Sequence, residues 1–461
     1  MSEIKKIKPA LSKGTRDFLP VEVAKRNYIF DTIKSVLRKY GFEEIETPAI
    51  ERMETLTGKY SEEGDKLLFK ILNSGDFLKD VPKEDLAAAN SSSTLKYITE
   101  KGLRYDLTVP LARYVVQHQE NLAFPFKRFH IGPVWRADRP QKGRYQEFYQ
   151  CDADVIGSES LMNEVELTMI YAEVFKKLGV DVIIRFNHRK VIEALIAVMN
   201  KPAFSEIIVS CIDKMDKMPW DKIEAELHAG GLIKSETDAL YNSIVVKVDN
   251  LWRDEDIKTN SAGTIAFNEL SVFLNAMNDS ISNLVYDGRL VRGLNYYTGV
   301  IWEVVIDKNS VANADISMGS LGGGGRYDNL TEMFGAKNMS GVGVSFGIER
   351  IYDVMEELNL FPKTISLGVK VLFVPREPEM ETFALQQAQS LRNKGIGAEV
   401  YLGNVKKQKH FNYVEDKQIR YMVEVGSNEQ ASGKFRLRNV QTRDTQVDLS
   451  IQQIMELVNA L

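Results

Sequence analysis

The stretch from Arg136 to Asp154, RADRPQKGRYQEFYQCDAD, constrains the fold of this chain more than any other. Its first half gathers arginines and a lysine around Gly143, which is typical of a turn. Cations on a turn beside acids on a strand indicate a pocket for one zwitterionic and one phosphorylated ligand. A solvated β-hairpin with mixed charges would show the same pattern, so both interpretations are open at this point. The residues that would share one face of the strand are Phe148, Gln150, Asp152 and Asp154.

The composition limits the class of protein. At 461 residues the chain is too long for one hydrophobic core, so we expect two or three domains. A net charge of −5 argues against a wholly basic nucleic-acid coat but leaves room for a basic patch. Two cysteines, Cys151 and Cys211, are too few for a disulfide framework or a metal cluster and fit a reducing cytosol. Without a recognisable signal peptide or membrane-spanning run, we expect a cytoplasmic enzyme or large binding protein that does not associate with membranes.

Changes in the periodicity of apolar residues predict how the chain divides into domains. Residues 189–278 are a series of helical patterns without strand-like alternation, which predicts a helical insertion. The flanking residues 1–188 and 279–360 mix strand and helix patterns, and we predict that they form one domain. A break near Asn359–Ser366 precedes a β-α-β alternation. This alternation predicts a small α/β domain over residues 367–461 with a mostly parallel sheet.

The C-terminal domain is the relatively basic part of the chain. Residues 368–461 hold 13 Lys and Arg against 11 Asp and Glu, so the other residues carry −7. The cluster KKQKH at residues 406–410 lies in this domain. Because a charge run is usually just a solvated face, the cluster alone does not establish a nucleic-acid contact.

Two glycine-rich stretches differ from the familiar phosphate-binding loops. GSLGGGGRYD lacks the Lys and Ser/Thr that follow the glycines of a Walker A loop. GVGVSFG departs from the GxGxxG spacing and lies late in the chain, away from the first β-α turn of a domain. Both stretches therefore favour backbone that passes close to a ligand or to another strand.

Four arginines in separate segments indicate a polyphosphate site. Each stands beside a glycine, an aromatic residue or an acid cluster, and the four are Arg136, Arg144, Arg292 and Arg350. Converging guanidinium groups keep their protons and neutralise the charge that grows on a phosphate under nucleophilic attack. Any one of them could be an ordinary salt-bridge residue, so it is the set that predicts chemistry.

These segments together resemble the histidyl-tRNA synthetases, a family of class II aminoacyl-tRNA synthetases. KGTRDFLP, LRYDLTVP, the 136–154 stretch, RGLNYYTG, GGGGRYD and GVGVSFGIER occur in the family's order and span nearly the whole chain. The resemblance implies an α+β catalytic domain, in which helices flank an antiparallel sheet, with a helical insertion and a C-terminal α/β anticodon-binding domain. It also implies a homodimer formed through the helix that follows Pro20 and the strand around Pro48.

The resemblance further implies a two-step ligation. The carboxylate of L-histidine would attack the α-phosphorus of ATP, giving histidyl-adenylate and pyrophosphate. The terminal adenosine hydroxyl at the 3′ end of tRNA(His) would then take the histidyl group. Mg²⁺ would arrive with the ATP, and we expect neither a dedicated metal site nor a tightly bound cofactor.

For ATP, the resemblance implies two catalytic arginines and a phosphate clamp. Arg136 would hold the α-phosphate and the histidine carboxylate, while Arg292 would approach the same phosphate from the other side. Arg144 and Arg350 would grip the β- and γ-phosphates. Phe148 and Arg350 would also sandwich the adenine by stacking and cation–π contact.

For histidine, the resemblance implies that Asp106, Thr108 and Gln150 meet the α-ammonium group. Asp154 and Tyr297 would address the two imidazole nitrogens. A wrong amino acid would leave these polar partners unpaired, at a cost of several kcal/mol. The full predicted set is Asp106, Leu107, Thr108, Arg136, Gln150, Asp154, Arg292, Tyr296 and Tyr297.

Further positions have weaker assignments. Tyr145 would border the adenine site, and Gln141 on the turn would face the acceptor end of the tRNA. Asp138 replaces the glutamate that is usual in the family, and Asn295 replaces an aspartate found in many relatives. The Asp138 departure puts the adenine contact in doubt, and the Asn295 departure puts a supporting contact in doubt. Segment 73–102 is longer than expected, and the sequence gives no functional account of it.

Two other functions are compatible with parts of this pattern. A catalytically idle, synthetase-like regulatory subunit or histidine sensor would usually lack the anticodon domain or some of the four arginines. A class II synthetase for another amino acid would leave RGLNYYTG unexplained. The sequence therefore favours the ligase.

Overall fold

The larger of the two units of the chain contains a mixed sheet of eight strands. The computed structural model describes residues 8–57, 66–88, 90–216, 218–278, 280–291, 297–310, 316–328, 331–336, 339–362, 365, 368–403 and 407–459. They fall into two compact units. Unit 1 comprises Met1–Asp17 and Ile29–Leu360, and unit 2 comprises Phe18–Tyr28 and Phe361–Leu461.

The strands of unit 1 form two sheets. Their bounds are β1 Glu43–Glu44, β2 Ile50–Arg52, β3 Lys70–Ile71, β4 Lys101–Leu103, β5 Phe126–Trp135, β6 Glu147–Ile156, β7 Val182–His188, β8 Leu284–Tyr286, β9 Val300–Ile306, β10 Gly322–Tyr327 and β11 Gly341–Gly347. The large sheet has the order β1-β5-β6-β11-β10-β9-β7-β8, and a small sheet has the order β2-β4-β3. The five inner pairings of the large sheet, from β5–β6 to β9–β7, are antiparallel as predicted. The two edge pairings, β1–β5 and β7–β8, are parallel, which the sequence did not reveal.

Helix α6 packs against one face of the large sheet. The helices before β7 are α1 Pro20–Lys39, α2 Met53–Leu56, α3 Lys83–Ala87, α4 Ser91–Ile98, α5 Thr108–His118 and α6 Met162–Leu178. Tyr171 of α6 packs edge-on against Phe346 of β11, with ring centroids 4.9 Å apart. Since Phe346 is fully buried, this contact lies in the core and leaves the opposite face of β11 for the site.

The block between β7 and β8 is helical throughout its described residues, as its periodicity predicts. Its α-helices are α7 Arg189–Val198, α8 Ser205–Lys214, α9 Trp220–Ala229, α10 Lys234–Tyr241, α11 Glu255–Thr259 and α12 Ser261–Met277. Segment 73–102 contains α3, α4 and part of the small sheet. Helix α13 Ile348–Glu357 follows β11 directly, so the chain turns from a strand of the site into a helix at Gly347.

Unit 2 contains a five-stranded sheet with helices on both faces. Its strands are β12 Val371–Pro375, β13 Ala398–Val400, β14 Tyr421–Val425, β15 Phe435–Asn439 and β16 Thr445–Leu449, in the order β13-β12-β14-β15-β16. The helices after Leu360 are α14 Glu381–Arg392, α15 Lys407–Asp416, α16 Ser427–Ser432 and α17 Ile451–Asn459. Phe373 packs into one apolar core and its neighbour Leu372 into the other, as expected for a strand buried on both faces. The three strands β13, β12 and β14 are parallel, and β15 and β16 add antiparallel pairs.

Candidate active site

The polar face of β6 is paired with a second polar row on β5. In the antiparallel register Arg128 stands opposite Asp154, and His130 stands opposite Asp152. The guanidinium Nη2 of Arg128 lies 2.5 Å from Oδ2 of Asp154, and neither side chain has appreciable exposure. A buried ion pair of this kind is expensive to separate, because each charge would remain in the interior without a counter-ion. Arg128 is therefore a member of the site that the sequence reading missed.

A second partner of Asp154 comes from the glycine-rich strand β10. The hydroxyl group of Tyr327 donates a short hydrogen bond to Oδ1 of Asp154. On the neighbouring strand β11, Gly343 stands opposite Asp154, and a Cβ atom there would lie only 1.9 Å from this carboxylate oxygen. The glycine is thus required by the close approach of the carboxylate, which explains part of the GVGVSFG pattern.

A small cavity opens between β6, β10 and β11. Tyr297, predicted to contact histidine, lines it and packs against Gly325, where a Cβ would lie 2.6 Å from the tyrosine ring. The cavity is bounded by two carboxylates, two tyrosines and backbone, so it is polar at its base and narrow. Its lining residues are Thr108, Asp152, Asp154, Tyr297, Gly323, Gly324, Tyr327, Gly343, Val344 and Ser345.

Burial and mutual repulsion shift the ionisation of the acidic pair. Burial, together with the charge of Asp154, raises the pKa of Asp152 to about 7. Burial also raises the pKa of Asp154, although Arg128 and the bond from Tyr327 oppose that shift. Burial and the nearby charges of Arg128 and Arg104 lower the pKa of His130 to about 3, so this imidazole is neutral. The base of the cavity therefore holds one buried cation against two carboxyl groups.

The start of helix α5 places Thr108 in the lining of this cavity and Asp106 close to Asp152. Asp106 is buried, and its Oδ1 accepts a hydrogen bond from the amide of Val109 at 3.1 Å. The hydroxyl of Thr108 donates to Oδ2 of Asp152 at 3.4 Å. The side chain of Leu107 is fully buried in the core, so only its main chain could meet a ligand.

Arg136 lies at the other end of the polar row. Its guanidinium carbon is 4.3 Å from the ring centroid of Tyr105 and 5.1 Å from that of Phe148. Its Nε donates to the carbonyl oxygen of Tyr105 at 3.0 Å, and its Nη2 donates to Oε1 of Gln150 at 3.5 Å. Gln150 in turn donates to the hydroxyl of Ser345 at 3.0 Å, so hydrogen bonds connect Arg136 to the lining of the cavity.

The turn between β5 and β6 is a tight hairpin from Gln141 to Arg144. The two residues exchange backbone hydrogen bonds of 2.9 and 3.1 Å, and Gly143 has a φ of +70° that favours glycine. Gln141 and Arg144 are exposed at this turn. Nη2 of Arg144 lies 2.9 Å from Oδ1 of buried Asp138. Asp138, which departs from the family pattern, therefore holds the arginine that we predict to bind the phosphates of ATP.

Arg350 and Tyr145 are fixed beneath this hairpin. Arg350 donates from Nε to the carbonyl of Gly143 at 2.9 Å and from Nη1 to that of Ser320 at 2.7 Å. The hydroxyl of Tyr145 donates to Asp353 at 3.0 Å, and burial raises its pKa to about 12. The two bonds of Arg350 connect the first turn of helix α13 to the hairpin and to the segment that precedes β10.

The structure thus brings most of the predicted residues into two neighbouring groups. Thr108, Asp154 and Tyr297 line the cavity, Gln150 is hydrogen-bonded to the lining residue Ser345, and Asp106 lies near Asp152. The phosphate-binding candidates Arg144 and Arg350 and the predicted tRNA contact Gln141 stand on or under the hairpin. The predicted residues Arg292 and Tyr296, and the departure at Asn295, lie outside the described residues.

The sequence did not point to Arg128, His130 or Tyr327 as ligand candidates, and it placed Asp152 on the polar face of the strand without a separate role. The signal for the first two was present, since FKRFHIGPVW alternates with the same period of two as the acidic strand. No local pattern indicates that Tyr327 meets Asp154, because 173 residues separate them in the sequence.

Within the described residues, no group of three or more His, Cys, Asp and Glu side chains is arranged to hold a metal ion. None of the helices in these ranges is long and apolar enough to cross a bilayer.

Comparison with known proteins identifies the relatives of this chain. The histidyl-tRNA synthetase family model matches residues 14–78 and 87–351, and an anticodon-binding domain model matches residues 369–461. The histidine–tRNA ligase of Porphyromonas gingivalis is 48% identical over 446 residues, covering 95% of this chain and 97% of that protein.

Solved structures agree with this assignment. Histidyl-tRNA synthetase from Nostoc sp. PCC 7120 superposes with a TM-score of 0.80 at 26% identity, over 99% of this chain and 100% of that one. A Bacillus halodurans protein described as an ATP phosphoribosyltransferase regulatory subunit/histidyl-tRNA synthetase shares the fold, with a TM-score of 0.71 at 19% identity over 91% of this chain and 99% of that one. The expected fold class, a class II catalytic domain followed by an anticodon-binding domain, is confirmed. The chain therefore belongs to the histidyl-tRNA synthetase family.

Proposed function

We propose that this chain is a histidine–tRNA ligase, which activates L-histidine with ATP and transfers it to the 3′ end of tRNA(His). The observation that carries the proposal is the continuous polar row on β6, from Phe148 beside Arg136 to the acids of the cavity. At roughly 3.3 Å per residue this row is about 20 Å long, which leaves room for an amino acid and a nucleotide end to end.

Histidine enters at this cavity in the proposal, and the cavity must widen from its present volume of about 20 Å³ to admit the imidazole ring. The two carboxyl groups and the tyrosine hydroxyls at its base offer hydrogen-bonding partners for both imidazole nitrogens. Asp106, Thr108 and Gln150 receive the α-ammonium group, as the resemblance implies. The carboxylate of the substrate then points toward Arg136, whose guanidinium already reaches Gln150.

ATP occupies the hairpin end of the row. Arg136 neutralises the α-phosphate as the histidine carboxylate attacks, and by resemblance Arg292 acts on the same phosphate from the opposite side. Arg144 and Arg350 bind the β- and γ-phosphates, so both must exchange some of their present partners for phosphate oxygens. Mg²⁺ enters with the ATP as part of that substrate. Phe148 offers its ring to the adenine, and Tyr145 borders it.

The tRNA contacts both units in this proposal. Exposed Gln141 at the tip of the hairpin faces the acceptor end. In unit 2, a cavity of about 470 Å³ lies at the carboxyl ends of parallel strands. It is lined by Tyr401, His410 and Arg376 and also by the carboxylates of Glu377, Glu381 and Glu424, the last of which is paired with Arg376. Single-stranded bases that leave their stack are typically held on such aromatic and guanidinium surfaces. Lys409, next to His410, is exposed and adds positive charge for the phosphate backbone.

Assembly, location and domain bounds are also part of the proposal. We infer a cytoplasmic location, which two free cysteines fit. We also infer a homodimer, because Ile50, two residues after Pro48, keeps half of its surface exposed at a predicted subunit boundary. Light scattering should give the mass of two 52.2 kDa chains, and a monomeric mass would contradict the dimer. Residues 1–188 with 279–360 form the catalytic domain, 189–278 the insertion and 367–461 the anticodon-binding domain.

Histidine-dependent exchange of pyrophosphate into ATP tests the activity directly. The wild-type chain should exchange with histidine and with no other amino acid. Arg136→Ala should lose exchange, while Arg443→Ala, an exposed arginine of unit 2, should retain it as a matched control. A folded protein that binds histidine without exchange would instead support the idle, sensor-like function.

A further inference from the structure

Helix α13 holds the β5–β6 hairpin at two successive levels. Arg350, in its first turn, donates from Nε to the carbonyl oxygen of Gly143 at 2.9 Å. Three residues further along and on the same side of the helix, Oδ2 of Asp353 accepts a hydrogen bond from the hydroxyl of Tyr145 at 3.0 Å. The position of the hairpin relative to Arg350 therefore depends on side-chain contacts as well as on the strands.

A third segment, from the start of the chain, joins the second of these contacts. The guanidinium carbon of Arg16 lies 3.8 Å from the ring centroid of Tyr145. Its Nη1 donates to the hydroxyl of Tyr145 at 2.9 Å and to Oδ1 of Asp353 at 3.1 Å. Together with the bond from Tyr145 to Asp353, these contacts close a triangle of three side chains. The side chains of Arg16 and Asp353 are only 26% and 14% exposed, so solvent screens their ion pair weakly.

The backbone beside Arg16 is also fixed against the hairpin. The amide of Gln146 donates to the carbonyl oxygen of Gly14 at 2.8 Å. Gly14 has a φ of +79°, and a Cβ atom there would lie 2.6 Å from Cγ of Gln146. Glycine permits both this conformation and the close approach. The KGTR part of the first motif therefore brings Arg16 to Tyr145.

We propose that Arg16 is a positioning residue for ATP in the ligation reaction. The inference rests on the proposed function and refines it, since that function places the adenine beside Tyr145 and the β- and γ-phosphates on Arg144 and Arg350. Arg16 acts through Tyr145 rather than by contact with the nucleotide. It holds the tyrosine ring, and with it the neighbouring Arg144, in place relative to α13. The histidine cavity lies at the other end of the polar row, so Arg16 serves ATP and leaves histidine binding largely unchanged.

Pyrophosphate exchange measured against each substrate in turn tests this role. Arg16→Ala should lower kcat/KM for ATP at least ~10-fold, because small displacements of binding groups strongly reduce the rate. The KM for histidine should change by less than ~3-fold. Arg16→Lys keeps a positive charge near Asp353 but loses the planar guanidinium group, so it should give a smaller fall in the same direction. The lysine variant carries the test if the alanine variant does not fold.

Two comparisons show whether Arg16 acts through Tyr145. In the Tyr145→Ala background, Arg16→Ala should lower kcat/KM for ATP by less than ~3-fold further, because the ring that Arg16 holds is already absent. Glu357→Gln is the matched control, since Glu357 pairs with Lys142 at 2.9 Å and so also joins α13 to the hairpin. That pair is exposed and contributes little, so kcat/KM for ATP should change by less than ~3-fold.

The outcomes separate the two proposals. A selective loss for ATP in the Arg16 variants, absent from Glu357→Gln and from the Tyr145→Ala background, would support the inference. An unchanged kcat/KM for ATP, or equal losses for ATP and histidine, would reduce Arg16 to a structural residue and overturn it. An equal fall in Glu357→Gln, or a full further loss in the Tyr145→Ala background, would also overturn it. Absence of histidine-dependent exchange in the wild type would contradict the proposed function itself.

Discussion

Replacing Asp152 by Asn should stabilise the protein, and the gain should depend on pH. The folded state holds the proton of Asp152 until pH about 7, whereas an ordinary aspartic acid loses it near 3.8. A raised folded-state pKa means that the folded form is penalised as pH rises from 3.8 to 7. The penalty is absent in acid and complete above pH 7. Asparagine is nearly isosteric and carries no charge to bury.

The magnitude follows from the difference between the two pKa values. Each unit corresponds to about 1.4 kcal/mol, so the full penalty at pH 8 is about 4 kcal/mol. At pH 5 only the part between 3.8 and 5 has accumulated, which leaves about 2 kcal/mol. Asp152→Asn should therefore be more stable than the wild type by amounts of this order at each pH. Its advantage should roughly halve between pH 8 and pH 5.

Urea unfolding followed by tryptophan fluorescence is a suitable assay. Trp135, Trp220, Trp252 and Trp302 are the four tryptophans of the chain, and all belong to unit 1. The signal therefore reports on the unit that contains Asp152. Asp154→Asn is the control, because it leaves Arg128 without its counter-ion and should cost about 3–5 kcal/mol at pH 8. A gain in Asp152→Asn that is the same at pH 5 and pH 8, or a loss at pH 8, would refute this electrostatic reasoning.

Three further perturbations test other parts of the site. Gly343→Ala would place a Cβ 1.9 Å from the carboxylate of Asp154 and displace that side chain. The KM for histidine in the exchange assay should therefore rise at least ~10-fold. An unchanged KM would contradict the inference that the close approach requires glycine. Arg292→Ala should depress the exchange rate far more than it weakens histidine binding, since charge at phosphorus peaks in the transition state; equal losses would make it a ground-state ligand. Neutralising the lysines of the 406–410 cluster should lower tRNA charging and leave exchange intact, whereas an equal fall in exchange would assign the cluster to folding.

The sequence predicted the parts of the fold that depend on local periodicity. The period of two in β6, the helical block after β7 and the β-α-β alternation of unit 2 are each expressed within a few neighbouring residues. The parallel edges of the large sheet could not be predicted in this way. They depend on which distant strands meet, as when Glu43 pairs with Arg128.

The same distinction applies to the site. Motif positions such as Arg136, Gln150 and Arg350 were found because family resemblance marks them one by one. The role of Arg128 requires the β5–β6 register, and that of Tyr327 requires β10 to lie next to β11. Asp154 contacts Tyr327 and Arg128 and Asp152 contacts Thr108, and these partners could be recognised only from the structure, since the two acids are equivalent in the alternating pattern.

The pairing of Arg128 with Asp154 also has a consequence for how the β5–β6 hairpin assembles. A slip of two residues keeps every side chain on its own face, so the hydrophobic pattern alone cannot reject it. In one direction the slip would put Phe126 opposite Asp154, and in the other it would put Ile156 opposite Arg128. Either error buries a charge against an apolar partner, which the interior tolerates poorly. The buried charges of Arg128 and Asp154 thus favour the observed strand alignment, and a variant that neutralises both would lose this preference.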